Sequence, residues 1–465
     1  MRHELVLTLV FLVILVAEVF SDERKRGRIR ELSVILFAVA TAIGMLPSRE
    51  GILFGGMYQA SHTTALMKNI LNIGTLIVLI QSYSWLGRPE NRDRMHEYFM
   101  LLISTLLGMN FMISAGHFLM FYIGIEMATI PLAALAAYER FRNRSAEAGI
   151  KLILSSSLSS GILLYGLSMI YGTTGSLYFT EVAARAVSTP LLTLGFIFFF
   201  AGMGFKMSLV PFHLWTADVY EGAPVNVTSY LSVVSKGAAA FIFIIILFTV
   251  FPVIVATWEK VVWIIAVLTI TIGNLFALRQ KNMKRFLAFS SIAQAGFFLL
   301  GFVGGNKLGM TTVIYYALIY IFTNLAAFGV VSIISDKTGK ESMDDYNGLY
   351  RTNPKLSLAM MLAMFSLAGI PPVAGFFGKF FLFVAAAEKG FYVLVTIAVL
   401  NTIIALYYYL LVVKAMFINK SDDPIPTFKS DLMSKLGLAI CLTGIVVTGF
   451  ASGLFEMIRN LSYGI

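Results

Sequence analysis

One cysteine, Cys441, and five histidines are the whole supply of thiolate and imidazole ligands in 465 residues. The cysteine lies in an apolar run and has no second thiol to pair with, so an intrachain disulfide or a thiolate cluster is excluded. The histidines are scattered and give no haem or iron–sulfur ligand set. Charge is scarce as well: Asp, Glu, Lys and Arg make up 13% of the chain, against 58% hydrophobic residues. With a mean hydropathy of +0.82, a soluble domain of this size could not bury its apolar surface and keep a wettable exterior. The alternating pattern of β-barrel strands is absent too. What is present is a nearly unbroken series of apolar runs, each long enough to cross a hydrocarbon core of about 30 Å as a helix.

The net charge of +10 does not point to nucleic acid, because the basic residues sit in short loops without the aromatic interleaving of a strand binder. They read as positive-inside loops instead. The first run, Leu5 to Phe20, has its basic cluster behind it (Arg24, Lys25, Arg26, Arg28, Arg30) and no small-residue cleavage site. It therefore reads as an uncleaved first helix, amino terminus outside.

The periodicity predicts helices at about 3–20, 31–46, 64–86, 95–113, 117–138, 146–172, 190–215, 226–250, 258–278, 285–304, 308–335, 354–388, 390–417 and 431–457. An all-α polytopic membrane protein of about fourteen spans follows. Odd-numbered loops hold the basic clusters, such as Arg88, Arg92 and Arg94, or Arg279, Lys281, Lys284 and Arg285. These loops are expected to be cytoplasmic, which places both termini on the other side.

The run from Pro354 to Glu388 would be roughly 52 Å long as one straight helix, more than a bilayer needs. It must tilt or break, and Gly369, Pro371, Pro372, Gly375 and Gly378 favour a break. Gly202, Gly204 and Pro211 give the same signal in helix seven. In both places a glycine precedes a lysine by four residues: Gly202 and Lys206, Gly375 and Lys379. Helices seven and twelve hold the same place in two five-helix units, four to eight and nine to thirteen. Five is odd, so the two units are expected to be inverted copies. The expected division is an amino-terminal three-helix segment (1–94), a first repeat (95–250), a second, inverted repeat (251–417) and a final helix (418–465).

Charged residues inside such helices are expensive and read as functional. Glu126 lies about ten residues into helix five, roughly 14 Å deep. Lys206, Lys236 and Lys379 are each flanked by apolar residues that cannot satisfy a charge. Burial disfavours a charged amine and a nearby carboxylate favours it, so a lysine whose partner is strengthened or weakened can bind and release a proton. Lys151 lies nearer its helix end, where it could snorkel to the interface. His213 could relay protons or serve as a structural hydrogen-bonding group. Asp218 and Glu221 could gather protons at the cytoplasmic mouth or cap helix eight. Lys68 and Lys414 read as helix-end lysines or as lysines one layer behind the working ones, His117 as interfacial and Trp215 as an interfacial anchor.

The segments PFHLWTADVYEGAP, TSYLSVVSKGAAAF, KRFLAFSSIAQAGF and LAGIPPVAGFFGKF together resemble the antiporter-like N subunit of proton-pumping NADH:quinone oxidoreductase, respiratory complex I, along nearly the whole chain. VYEGAP and the lysine of Val-Val-Ser-Lys set this type apart from the L and M types, and the end at Ile465 leaves no room for a lateral helix. The resemblance implies proton transfer through Glu126, Lys206, Lys236, Lys379 and Lys151, with Glu126 and Lys206 as the tuning pair, Lys236 central and Lys379 towards the exit. It also implies no cofactor in this chain, with NADH, FMN, iron–sulfur clusters and quinone held by partner subunits. The implied neighbours are an M-type antiporter-like subunit, small K-, J- and A-type subunits and the lipid of a bacterial inner membrane. The chain departs from the family pattern at Ala217, where proline is usual, and at Gln294, where histidine is frequent and where a glutamine cannot be protonated near neutral pH. Alternatives are a cation/proton antiporter subunit of the Mrp kind, a membrane subunit of an energy-converting hydrogenase, or a structural membrane spacer.

Overall fold

The computed structural model describes residues 1–20 and 26–461. Arg24 and Lys25 of the first basic cluster lie outside the described residues. Every predicted helical run is helical, and three of them are split. In chain order the long elements are α1 (Arg2–Val19), α2 (Arg26–Gly44), α3 (His62–Leu86), α4 (Met95–Ile113), α5 (Phe118–Ala136), α6 (Asn143–Thr174), α7 (Pro190–Met207), α8 (Leu214–Gly222) and α9 (Val225–Val250). They continue with α10 (Pro252–Ala277), α11 (Met283–Val303), α12 (Asn306–Thr338), α13 (Pro354–Ala368), α14 (Ala374–Glu388), α15 (Tyr392–Phe417), α16 (Leu432–Phe450) and α17 (Ser452–Leu461). Among the described residues, eleven helices are long and apolar enough to cross a membrane. Among the described residues the strands are confined to a short hairpin, Gly51–Leu53 with Tyr58–Ala60.

Local chemistry sets the helix starts. Ser61 accepts the Thr64 N–H at 3.2 Å while its own N–H donates to Thr64 Oγ1 at 2.9 Å, a reciprocal cap for α3. Thr189 caps α7 just ahead of Pro190, whose missing N–H costs nothing at a first helical position. Asn282 accepts the N–H groups of Lys284 and Arg285 at the start of α11. His117 caps α5 through Nδ1, which accepts the Leu119 N–H at 3.0 Å.

Three helices, α9, α11 and α12, are almost wholly buried and form the central axis, while α6, α10, α15 and α16 bury only a third of their apolar stretch. The outer faces left by the second group are large and apolar, as lipid contact requires. Packing follows a repeated pattern: α4 lies on α5 and α6 on α7 and α8, while α10 lies on α11 and α12 on α13 and α14.

The run at 190–215 is broken, as Gly202, Gly204 and Pro211 signalled. α7 stops at Met207, and helix resumes at α8 through Gly222, so Asp218 and Glu221 sit on a half-helix where a loop was expected. Trp215 is buried against the protein. α8 folds back under α7, the indole stacks on Phe205 at 5.1 Å between ring centroids, and its N–H donates to the Phe205 carbonyl at 3.2 Å.

A candidate proton path between two helix breaks

Both breaks are built the same way. At the end of α7, Ser208 takes a left-handed conformation (φ 62°) and the N–H of Leu209 returns to the Gly204 carbonyl at 2.8 Å. At the end of α13, Gly369 does the same (φ 83°) and Ile370 N–H returns to the Phe365 carbonyl at 3.0 Å. Each turn satisfies carbonyls that a helix end leaves open. A cis proline follows in each, Pro211 and Pro372. Glycine is needed at Gly375, because a Cβ there would run into the backbone of Ser366. This close approach holds the start of α14 against the end of α13.

The lysines differ in position. Lys206 precedes its break and Lys379 follows its own. Lys206 is 8% exposed and donates to Thr129 Oγ1 at 2.7 Å, crossing from α7 to α5. Glu126, one turn earlier on α5, accepts from Ser160 of α6. The two charged groups are neighbours and lie beyond ion-pairing distance, with Thr129 and Ser160 holding one each. Lys379, 3% exposed, donates to the carbonyls of Leu367 at 2.8 Å and Ala368 at 3.4 Å, and its amine stands 4.6 Å from the centre of the Phe297 ring. A cation there sits on the negative end of α13.

Lys236 lies between them, 3% exposed, just after a π-helical turn, Leu231–Ser235. Such turns insert one residue into the helical ladder and cluster at working sites. Lys236 donates to Ser291 Oγ at 2.5 Å, and the Tyr220 ring centre is 5.5 Å from its amine. Beyond Ser291 the bonds continue through Ser232 (3.4 Å) to the Tyr320 hydroxyl (3.2 Å). Asn324 braces that corner by donating to Ser232 at 2.5 Å and to Tyr320 at 3.1 Å. Tyr316, one turn away and stacked on Tyr320, donates to Gln294 Oε1. Gln294 Nε2 then donates to the Leu367 carbonyl at 3.2 Å, the same oxygen that Lys379 uses. A cavity of about 10 Å³ beside Gln294, Tyr316, Ser366 and Lys379 is at the lower limit for one water.

Six further sequence candidates come apart from these. Lys151 is partly exposed and pairs with Asp218 at 2.6 Å and Glu147 at 2.7 Å. Arg285 of α11 binds Asp218 at 2.7 Å and Glu221 at 3.0 Å. This ionic network ties α6, α8 and α11 together at the membrane face that carries the basic loops. His213, at the start of α8, is buried, and its Nδ1 has no hydrogen-bond partner among the described residues. Lys414 is exposed, in keeping with a helix-end lysine. Lys68 differs from that expectation: it is 2% exposed and paired at 2.5 Å with Glu4.

Sequence reasoning missed Thr129, which holds Lys206, and Ser291, Tyr316, Tyr320 and Asn324, which lie between Lys236 and Lys379. Hydroxyls are common in membrane helices, and only the fold shows which of them converge. Asn324 had a usable signal, being a lone amide inside a long apolar run.

Buried lysines at two broken helices within a bundle of this kind define the antiporter-like class of membrane subunits. Residues 115–405 match the family described as NADH:quinone oxidoreductase/Mrp antiporter, TM, and the chain belongs to that family. A relative from Phocaeicola vulgatus, named NADH-quinone oxidoreductase subunit N, is 51% identical across 99% of this chain and 98% of its own. One of the same name from Azobacteroides pseudotrichonymphae is 48% identical across 100% and 98%. Among solved structures, respiratory complex I of Thermus thermophilus with bound aureothin contains a chain that superposes with a TM-score of 0.83 at 29% identity, covering 97% of this chain and 98% of that one. The Mrp complex of a Dietzia species reaches 0.88 at 20% identity, covering 99% and 96%, which speaks for the fold alone.

Proposed function

We propose that this chain is the N-type antiporter-like membrane subunit of an NADH:quinone oxidoreductase, and that it moves protons through Glu126, Lys206, Lys236 and Lys379. The observation that carries this reading is the set of three buried amines, Lys206, Lys236 and Lys379, each held by a neutral hydroxyl or by backbone carbonyls inside the bundle. Buried amines without carboxylate contacts are costly and are kept where they work. The names of relatives that match along almost the full chain favour the quinone-linked complex over an Mrp antiporter or a hydrogenase. Redox chemistry then belongs to partner subunits, and the neighbours in the membrane are other antiporter-like subunits.

Glu126 is half-buried on α5 and is the group best placed to feel an adjoining subunit. Moving its carboxylate towards Lys206 strengthens the ammonium, and moving it away frees a proton for Lys236. Carrying one charge across 100 mV costs about 2.3 kcal/mol, which the driving change must supply as a difference between two states. The basic loops face the cytoplasm in this reading, and Asp218, Glu221 and Lys151 line the entry side as a brace rather than as carriers. One helix break falls inside each of the inverted units proposed for 95–250 and 251–417. The test is assembled complex carrying Lys206→Ala in sealed vesicles: the proton-to-electron ratio should fall, and an unchanged ratio refutes the proposal.

A further inference from the structure

We propose that Glu4 and Lys68 form a second proton site, on the membrane face that carries the amino terminus, joined to the Lys236 region by a buried polar seam along α3 and α4. The inference rests on the proton-transfer reading above. Glu4 is 1% exposed, in the first turn of α1. Its Oε1 accepts from Lys68 Nζ at 2.5 Å, and its Oε2 accepts from the Tyr58 hydroxyl at 3.0 Å. Lys68 also donates to Ser114 Oγ at 2.6 Å and to the Tyr58 oxygen at 3.1 Å. The Met1 amino group stands 3.9 Å from Oε2. Arg2 is turned away to the carbonyls of Gly44, Leu46 and Pro47, and His3 is bound to Asn69 at 2.8 Å. The carboxylate is thus held by groups that can each give or take a proton.

Two features distinguish this cluster from a plain structural ion pair. A cavity of about 220 Å³ lies directly against it, lined by Arg2, His3, Arg49, Ser61, Thr64 and Lys68. It is polar and roomy enough for water. Inward from the pair, Lys68, Asn72 and Thr75 succeed one another on one face of α3 at helical spacings of four and three, which sets neighbours about 5–6 Å apart. Ser114 and Asn110 do the same on α4, which packs against α3. All are buried. Both amide atoms of Asn110 and the Oδ1 of Asn72 have no partner among the described residues, an expensive arrangement for a region whose only task is packing. At the inner end, Thr105 bonds the Tyr230 hydroxyl at 2.7 Å, with Thr75 as that hydroxyl's other neighbour. Tyr230 immediately precedes the π turn that Lys236 follows.

A proton arriving along this seam bonds to a carboxylate oxygen of Glu4 and turns the ion pair into a neutral acid beside an ammonium. Its loss to water in the cavity restores the carboxylate. One proton enters, one leaves, and Lys68 keeps its own throughout.

The experiment uses the assembled complex in sealed vesicles, with Lys206→Ala as reference. Glu4→Gln and Asn110→Leu should each keep electron transfer without a gradient close to normal and lower the proton-to-electron ratio as Lys206→Ala does. A normal ratio in Glu4→Gln, or in the neutral pair E4Q with K68M, overturns the proposal. If the Glu4 variants fail to assemble, Asn110→Leu decides, since it blocks the seam without touching the ion pair, and a normal ratio there overturns the proposal equally. If Lys206→Ala itself pumps normally, the proton-transfer reading has failed; if only Lys206→Ala lowers the ratio, the second site has failed and that reading stands.

Discussion

The break after α7 and the break after α13 share a turn, a cis proline and a buried lysine, yet the two lysines are held in opposite ways. Lys206 reaches across to one threonine hydroxyl, with a carboxylate in the neighbourhood. Lys379 lies on two backbone carbonyls at its own break, with no carboxylate contact. The first amine can be tuned by a side chain that moves; the second is fixed by the backbone that exposes it. A protein that needs one adjustable amine and one steady amine gets both by placing the lysine on different sides of the same kind of turn.

This contrast can be broken by substitution. The largest effect is expected for Lys379→Ala, which stops proton transfer and also leaves the Leu367 and Ala368 carbonyls without their donor. Each buried unsatisfied group costs about 1–3 kcal/mol, so the amount of assembled complex should fall along with the vesicle signal, as quantified on native gels. Next comes Lys206→Ala, with a comparable loss of pumping but near-normal assembly, because Thr129 keeps its bond to the Ile125 carbonyl at 2.6 Å. Equal assembly of the two variants would erase the distinction. Glu126→Gln should be milder again, since an amide oxygen still accepts from Ser160. A pumping rate reduced several-fold is expected, and an unchanged rate would detach Glu126 from Lys206. The smallest effect is expected for Gln294→His, which restores a residue frequent in the family at a site already hydrogen-bonded to Tyr316, Tyr409 and Leu367. Electron transfer and pumping should both stay within about twofold.

Much of this was legible in the sequence, and the reason is physical. Hydrophobic runs give spans because lipid forbids unpaired backbone, so all fourteen runs were placed. Gly369, Pro371 and Pro372 announced one break and Pro211 the other. The half-helix α8 was not foreseen because Leu214–Gly222 is only mildly amphipathic and short. Glu4 and Lys68 were the larger omission. Each lies within a turn or two of a helix start, where sequence reads a charge as solvated, and only the packing of α1 against α2 and α4, which themselves pack on α3, brings the two together. The lysines were found one by one, whereas Ser291, Tyr320 and Tyr316 have no meaning until the helices are assembled.

The Leu367 carbonyl has a consequence for what passes between the central and the outer lysine. Tyr316 donates to Gln294 and Gln294 donates to that oxygen, while Lys379 donates to it from the other side. The arrows meet head to head. Neither an amide nor a carbonyl hands on a proton in the way a hydroxyl does, so the bonded series acts here as a row of oriented dipoles. It carries voltage from one amine to the other, and current has to go around it.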